Sequence, residues 1–255
     1  MRKIFYLLLL TILVAACNNF KKQPEKSSDL SFSKAEYKKE SSLPTKEGTK
    51  LTAIIPVASG DNEIAKSIND SIFKTVKLII GQNDDVATTY DDLFDGFIKN
   101  YEAFVSDNSD YNLMWEADIN GVIEYYNSDI VNIRLTSYSM TGGAHGNPNT
   151  TSLFFSPKDG KSLTINNIIK DIDRFSKLAE MKFREKYNLS ANQSINSTKF
   201  MFPDDIFILP QNIFITKDGL LLYYNVYEIA AYADGPQELL IPYSIIKDNL
   251  LINIQ

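Results

Sequence analysis

The hydrophobic pattern of the chain begins with two strand-like segments, which two amphipathic segments follow. AEYKKES and KLTAIIPVA, between residues 35 and 57, flank a Pro-Thr-Lys-Glu-Gly turn. Residues 88–107 have apolar positions at helical spacing after Thr89, a suitable N-cap. Residues 61–80 show the same spacing at Ile64, Ile68, Ile72 and Val76. The pattern therefore predicts two strands and then two helices that pack on a core.

The pattern of apolar and polar residues in the centre of the chain predicts a meander of three antiparallel strands. Residues 111–119 alternate between apolar and polar, and Asn120-Gly121 is a dipeptide typical of a tight turn. VIEYY and DIVNIRLTSYSM supply two further strand patterns. GGAHG follows as a loop, and NTTSLFFS leaves it as another strand that closes on KSLT.

The C-terminal part predicts one long helix and then more strands. The helix covers residues 172–188, and strand patterns follow at 212–216 and 220–227. An irregular segment, EIAAYADGP, precedes a short strand ELLIP and a closing helix near SIIKDNLL. Because strands and helices do not alternate regularly, we expect an α+β fold with antiparallel sheets, a few helices and two consecutive subdomains.

The N-terminus resembles the signal of a bacterial lipoprotein. Basic residues precede a short apolar run, and Leu-Val-Ala-Ala-Cys ends at Cys17, the only cysteine. The resemblance implies removal of residues 1–16 and attachment of acyl chains such as palmitate at Cys17, which together anchor stably. Residues 17–34 are then a lipidated cysteine and a flexible tether. Asn at position 18 is no obvious inner-membrane retention signal, so we expect an outer-membrane location; an ordinary secretory signal is the alternative.

Charge separates the tether from the body. The whole chain carries −6, but residues 51–255 contain 16 Lys and Arg against 27 Asp and Glu, which leaves −11. An acidic body argues against nucleic acid as a partner and attracts cationic partners. The alternative is that the charge serves solubility. Because lipidation consumes Cys17, we expect no disulfide in the mature protein.

Two longer stretches resemble known envelope domains. TSYSMTGGAHGNPNTTSLFFSPKDGKSLTINNII and NIFITKDGLLLYYNVYEIAAYADGPQELLIPYSII resemble the C-terminal extracellular domain of the anti-sigma-V lysozyme receptor, a domain of unknown function. The strand pair, the helix near IAKSIND and the following strands resemble its companion domain, which also occurs beside peptidoglycan deacetylase domains. The resemblance implies a companion-like domain over residues 35–148 and a receptor-like domain over 149–255. The family often has proline at position 231, where this chain has Ala231.

His145, the only histidine, lies in the GGAHG loop and has three possible roles. As a catalytic base it needs a nucleophile and an orienting acid nearby, and Gly-x-Ser-x-Gly is absent. As a structural residue it bonds loop carbonyls, while Gly142 and Gly143 supply positive φ. As a binding residue it contacts a ligand, to which backbone N–H groups of the loop contribute. The structural role is favoured over the other two.

The segment 227–236 is the second candidate site. It holds Tyr227, Glu228, Tyr232 and Asp234, and tyrosines next to acids suit recognition of sugars or basic side chains. The alternative, which we favour, is that the tyrosines cover a sheet edge and Asp-Gly-Pro makes a turn. Acidic pairs elsewhere, such as Asp91-Asp92 and Asp204-Asp205, do not follow a calcium-loop pattern. The sequence predicts no metal or other cofactor.

These observations favour a lipid-anchored envelope binding protein without catalytic activity. The expected partner is a cationic, lysozyme-like protein or peptidoglycan. The rival hypothesis is an enzyme acting on cell-wall glycan, or its accessory module, which uses His145 or carboxylates such as Glu228 and Asp234. An envelope assembly factor without its own ligand is a third possibility.

Overall fold

The computed structural model describes residues 30–43, 49–60, 62–80, 86–111 and 113–254. Within these ranges the chain forms two β-sheets and a few helices, and this confirms the predicted α+β class. The signal segment, Cys17 and the tether up to residue 29 lie outside the described residues. β1 begins at Ser31, so residues 31–34, predicted as tether, are part of a strand instead.

The larger sheet has six strands in sequence order. They are β1 (Ser31–Glu40), β2 (Lys50–Ser59), β3 (Glu116–Tyr126), β4 (Val131–Met140), β5 (Asn147–Phe155) and β6 (Ser162–Leu163). The β2–β3 pair is parallel, and every other pair is antiparallel. The parallel pair departs from the predicted antiparallel sheet because helices α1 (Asn62–Ile80) and α2 (Tyr90–Asp107) carry the chain back across it.

Both predicted helices cover one face of this sheet. On α1, the side chains of Ile68, Ile72 and Val76 are fully buried, as their spacing predicts. On α2, the Thr89 hydroxyl accepts the Asp92 N–H at 3.1 Å, which confirms the predicted N-cap. The helices therefore pack by the apolar stripes that the sequence shows.

The predicted turn at Asn120-Gly121 is wrong. Both residues lie inside β3, which pairs with β4 from Glu116 to Tyr126 apart from one irregularity near Ile123. A Cβ on Gly121 would lie 2.3 Å from Cδ of Pro56 and 2.8 Å from Leu135 Cδ2. Glycine is therefore required here by close packing between neighbouring strands, and the turn is absent.

The smaller sheet and its helices form the second part of the body. The strands are β7 (Asn212–Ile215), β8 (Gly219–Tyr224) and β9 (Gln237–Pro242), in that order and antiparallel. Helix α3 (Ile172–Lys186) packs on them through Phe175, Ala179 and Phe183. The closing helix α4 (Tyr243–Ile246) is only one turn long and continues as a 3-10 turn.

Buried asparagines join the two sheets. The Asn132 side chain on β4 accepts the Ile215 N–H of β7 at 2.9 Å, and Asn212 on β7 accepts the Ser152 N–H of β5 at 2.8 Å. The Arg134 guanidinium also lies 3.7 Å from the centroid of the Phe214 ring. The predicted domain boundary between residues 148 and 149 falls inside β5, so strand pairing crosses it.

Candidate functional site

The loop between β4 and β5, residues 141–146, forms one wall of the candidate site. Gly142 and Gly143 have φ of +103° and +98°, so this backbone requires glycine, as the sequence predicts. Gly142 also lies against Tyr111: an added Cβ would be 2.8 Å from its hydroxyl. At the exit, Gly146 packs so closely on the Tyr138 ring that a Cβ would come within 2.2 Å of it. These contacts fix the loop on both sides of His145.

The irregular segment after β8, residues 225–236, forms the other wall. Tyr227 has φ of +66°, which is uncommon for a residue with a Cβ, and its side chain is 60% exposed. The Tyr227 N–H donates to the Ala230 carbonyl at 3.1 Å. The Met201 N–H donates to the Ile229 carbonyl at 2.8 Å and so ties this segment to the preceding chain. The turn in this segment is a 3-10 turn over Tyr232–Asp234, one step before the predicted Asp-Gly-Pro turn, and Gly235, at φ +66°, ends it.

Three aromatic side chains meet where the two walls touch. The His145 ring stacks on the Tyr232 ring, with centroids 4.0 Å apart and planes 24° apart. The Tyr227 ring lies 5.6 Å from that of Tyr232 and 6.4 Å from that of His145. We call His145, Tyr227 and Tyr232 the aromatic cluster. Its rings bring two distant parts of the chain into contact at the surface.

Hydrogen bonds order the aromatic cluster. The Tyr232 hydroxyl donates to the Gly146 carbonyl at 3.1 Å. His145 Nδ1 lies 2.9 Å from that same oxygen, which accepts only, so Nδ1 carries a proton. Nε2 lies 3.4 Å from the Tyr227 hydroxyl, which donates to it when the ring is neutral. The sequence-based expectation that His145 bonds a loop carbonyl is thus met, although its side chain is exposed.

The predicted carboxylates do not join this cluster. Glu228 turns inward and accepts the N–H groups of Asn225 at 2.8 Å and Gln211 at 3.3 Å. Burial raises the pKa of the Glu228 carboxyl above its ordinary value, and the two backbone N–H groups oppose that rise. Asp234 lies 3.5 Å from the Lys199 ammonium. Both carboxylates therefore make structural contacts within or next to the segment that carries the tyrosines.

A double hydrogen bond holds the two walls in register, and sequence reasoning missed it. The Asn225 side chain accepts the Thr150 N–H at 2.8 Å and donates to the Thr150 carbonyl at 2.9 Å. The Asn225 side chain thus bonds β5 in the way that a neighbouring strand would. Asn225 lies two residues before Tyr227 in the chain. The only sequence signal is a polar residue at the end of the apolar strand β8.

The sequence contains acidic pairs that are candidate metal ligands. Where the structure describes them, their carboxylates make local contacts instead. Asp91 pairs with Lys39 at 2.8 Å, and Asp205 accepts the Ser194 hydroxyl at 2.7 Å. Among the described residues, no group of three or more His, Cys, Asp or Glu side chains is placed to hold a metal ion. No helix in the described ranges is long and apolar enough to cross a membrane.

Three parts of the chain match known protein families or signals. Residues 1–18 match the prokaryotic membrane lipoprotein lipid attachment site, and residues 44–148 match the family named Deacetylase PdaC. Residues 155–244 match a protein family of unknown function, DUF3298. The two regions that match these families follow one another behind the match to a lipid attachment site. This confirms the expected pair of envelope domains and supports lipid anchoring through Cys17.

Solved structures of the DUF3298 family share the fold. A member from Bacteroides fragilis is 20% identical, with a TM-score of 0.68, over 88% of this chain and 94% of that one. A member from Pseudomonas aeruginosa PAO1 is 18% identical, with a TM-score of 0.61, over 89% and 98%. No curated protein matches the sequence. The matches support a lipid-anchored cell-envelope protein, part of which is similar to the DUF3298 family.

Proposed function

We propose that this lipoprotein is a binding protein without catalytic activity, and that it recognises a cationic, lysozyme-like envelope protein through the aromatic cluster. The observation that carries the proposal is the cluster itself. Its rings are held in fixed positions at the surface by a glycine loop and by a tyrosine with unfavourable φ. Unfavourable backbone conformations of this kind persist where the surrounding structure imposes them, often at functional sites.

The composition of the cluster suits a protein interface. Tyrosine is enriched in interfaces because a large, stiff ring buries much area for little loss of conformational freedom. Stacking on His145 and the bond to Gly146 restrict Tyr232 before any partner arrives. A pre-ordered ring loses less entropy on binding than a free one.

The charge of the body supports a cationic partner. Residues 51–255 carry −11, and the resemblance to a lysozyme receptor points to the same class of partner. Long-range attraction between opposite charges raises the association rate and weakens as salt is added. Binding that is fast and salt-sensitive is therefore expected.

The surroundings of the two acids favour binding over acid–base chemistry. Glu228 is engaged by two backbone N–H groups, and Asp234 by Lys199. His145 is engaged by Gly146 and Tyr227. Each of these three side chains therefore already makes a structural contact. The exposed faces of the rings remain as the contact surface for a partner.

A titration with lysozyme tests the proposal. The mature chain, kept in detergent, is titrated at low salt and then at about 0.5 M salt, where the Debye length falls to roughly 4 Å. We expect saturable binding that weakens with salt and falls at least tenfold in Tyr232→Ala. Leu78→Ala is the matched control, because Leu78 is 86% exposed and lies on α1.

Two results would count against the proposal. Absence of lysozyme binding at low salt removes the cationic partner, and equal binding by Tyr232→Ala removes the cluster. A parallel pull-down with purified peptidoglycan detects the glycan alternative. Release of product from that peptidoglycan, lost in His145→Ala, would instead favour the enzyme hypothesis.

A further inference from the structure

Strand β9 has one edge without a partner strand among the described strands. Within the described ranges β9 pairs with β8 alone, and in this antiparallel pair Pro242 lies opposite Gly219. Proline has no N–H, so this pair is of the non-hydrogen-bonded kind. Hydrogen-bonded and non-hydrogen-bonded pairs alternate along antiparallel strands, so Leu240 and Glu238 are also in non-hydrogen-bonded pairs. Their N–H and carbonyl groups therefore point away from β8.

A side-chain contact supports this direction. The Lys186 ammonium on α3 donates a hydrogen bond to the Glu238 carbonyl, as expected for a carbonyl that points away from β8. No hydrogen bond of the described residues outside the β8–β9 ladder reaches the N–H or carbonyl of Leu240. The Leu240 side chain is 41% exposed. Backbone groups and an apolar side chain are therefore both available at this edge.

The opposite edge of the same sheet is different. On β7, the Ile215 N–H donates to the Asn132 side chain at 2.9 Å, and the Ile213 carbonyl accepts the Ser152 hydroxyl at 2.6 Å. The larger sheet thus covers this edge and bonds two of the outward backbone groups of β7. Exposed edges are templates for further strands, and this sheet leaves one of its two edges available.

A groove runs between this edge and helix α3. It has a volume of about 510 Å³ and is lined by Lys182, Glu185, Lys186, Leu239, Leu240 and Pro242. Lys182 is paired with Glu185 at 2.6 Å. Lys186 contacts a carbonyl, and none of the ion pairs among the described residues includes it. The groove therefore has an apolar floor and a wall with one uncompensated cation.

We propose that this α3–β9 groove binds an extended acidic segment of a partner protein by strand addition. The segment's backbone pairs with the outward N–H and carbonyl of Leu240 and with the outward N–H of Glu238, and one of its carboxylates meets Lys186. Main-chain hydrogen bonds supply affinity in this mode, and side-chain pockets supply selectivity. The site is separate from the aromatic cluster, so it does not depend on the proposed function.

Capped synthetic octapeptides that alternate threonine and valine are the probes. They carry no glutamate, one central glutamate, or one central lysine in its place. A fourth peptide keeps the glutamate but has methylated amides at alternate residues, which removes half of its strand donors. Binding to the mature chain is followed by fluorescence anisotropy, and hydrogen exchange reports on the Leu240 amide.

The variants separate strand pairing from charge. Leu240→Pro removes the outward N–H and none of the hydrogen bonds to β8, and Leu240→Thr is the control for loss of the leucine side chain. Lys186→Glu reverses the uncompensated charge. Lys177→Glu makes the same change at an exposed position of α3 that is not part of the groove lining.

We expect saturable binding of the glutamate peptide, slower exchange of the Leu240 amide, and weaker binding of the lysine and methylated peptides. Lys186→Glu should weaken binding at least fivefold, with little effect of Lys177→Glu. Leu240→Pro should weaken binding at least tenfold and by more than Leu240→Thr, which also loses the apolar side chain but keeps the N–H. If Leu240→Pro proves poorly folded, the exchange of Leu240 in the unmodified chain decides. Lack of binding at about 2 mM peptide, or binding that leaves Leu240 exchange unchanged, would overturn the proposal.

Discussion

The amide of Asn132 accepts the Ile215 N–H at 2.9 Å in a fully buried position. The same side chain donates to the Ser152 hydroxyl at 2.9 Å and to the Leu153 carbonyl at 3.2 Å. One residue of the larger sheet therefore accepts a hydrogen bond from the edge of the smaller sheet and donates two hydrogen bonds within its own sheet. The way the two sheets meet depends on this residue.

Replacement of Asn132 by leucine should destabilise the protein strongly. The Ile215 N–H and the Leu153 carbonyl would be left buried with fewer partners, which costs about 2–4 kcal/mol. Urea denaturation followed by circular dichroism measures the change. Asn120→Ala, at an exposed position of β3, is the control and should stay within about 0.5 kcal/mol. A loss in Asn132→Leu no larger than in the control would show that the sheets do not depend on this bond.

Gly121 should not tolerate alanine. The added methyl would lie 2.3 Å from Pro56 Cδ, so the two strands must separate locally. We expect a loss of about 1–3 kcal/mol. Most of that loss should disappear when the same Gly121→Ala change is made in a protein that already carries Pro56→Ala. A double-mutant cycle of the four proteins gives the interaction free energy between the two positions. Equal losses in both backgrounds would place the cause elsewhere.

Gly121 also illustrates where sequence reasoning fails. The stripe of α1 predicts burial correctly because it depends on neighbours along one helix, and Ile68 and Ile72 are indeed fully buried. Asn120-Gly121 has the local signature of a turn, but the requirement for glycine comes from Pro56 on another strand. Local patterns carry no information about such contacts, so the strand count of the predicted meander was wrong.

The candidate site was predictable in part for the same reason. Positive φ at Gly142 and Gly143 follows from local sequence, and both are confirmed. The stack of His145 on Tyr232 depends on the way β5 meets the turn at Asn225, which no local pattern encodes. Glu228 was grouped with the tyrosines by proximity in sequence, yet backbone geometry turns its side chain inward.

Removal of either of two buried tyrosine hydroxyls should change the free energy of unfolding, with a different sign or size at each position. The Tyr111 hydroxyl is buried without a hydrogen-bond partner among the described residues, so Tyr111→Phe should be neutral or stabilise the fold by about 0.5–1 kcal/mol. The Tyr224 hydroxyl donates to the Ile208 carbonyl at 2.7 Å, so Tyr224→Phe should cost about 1 kcal/mol at pH 8. Thermal and urea denaturation of both variants measure this contrast. Destabilisation by Tyr111→Phe would indicate that its hydroxyl has a partner.

Tyr224 should also contribute to alkaline unfolding. Burial raises the pKa of the Tyr224 hydroxyl above its ordinary value of 10.0. Above pH 10 the unfolded chain then binds fewer protons than the folded one, so stability falls as pH rises toward the folded pKa. Tyr224→Phe should flatten that fall, and its deficit relative to the parent should shrink between pH 8 and pH 11. A constant deficit across this range would contradict the assignment.

Tyr227 should show a conflict between stability and binding. Its φ of +66° disfavours any side chain with a Cβ, while glycine adopts it freely. Tyr227→Gly and Tyr227→Ala both remove the ring, so both should bind lysozyme more weakly. Because only alanine keeps the unfavourable conformation, the glycine variant should be more stable than the alanine variant by about 0.5–1 kcal/mol. Denaturation curves of the pair give the stability difference directly, and titration gives the binding. Equal stability would mean that the loop relaxes φ once the ring is lost, in which case contact with His145 and Tyr232 is what holds Tyr227 in this conformation.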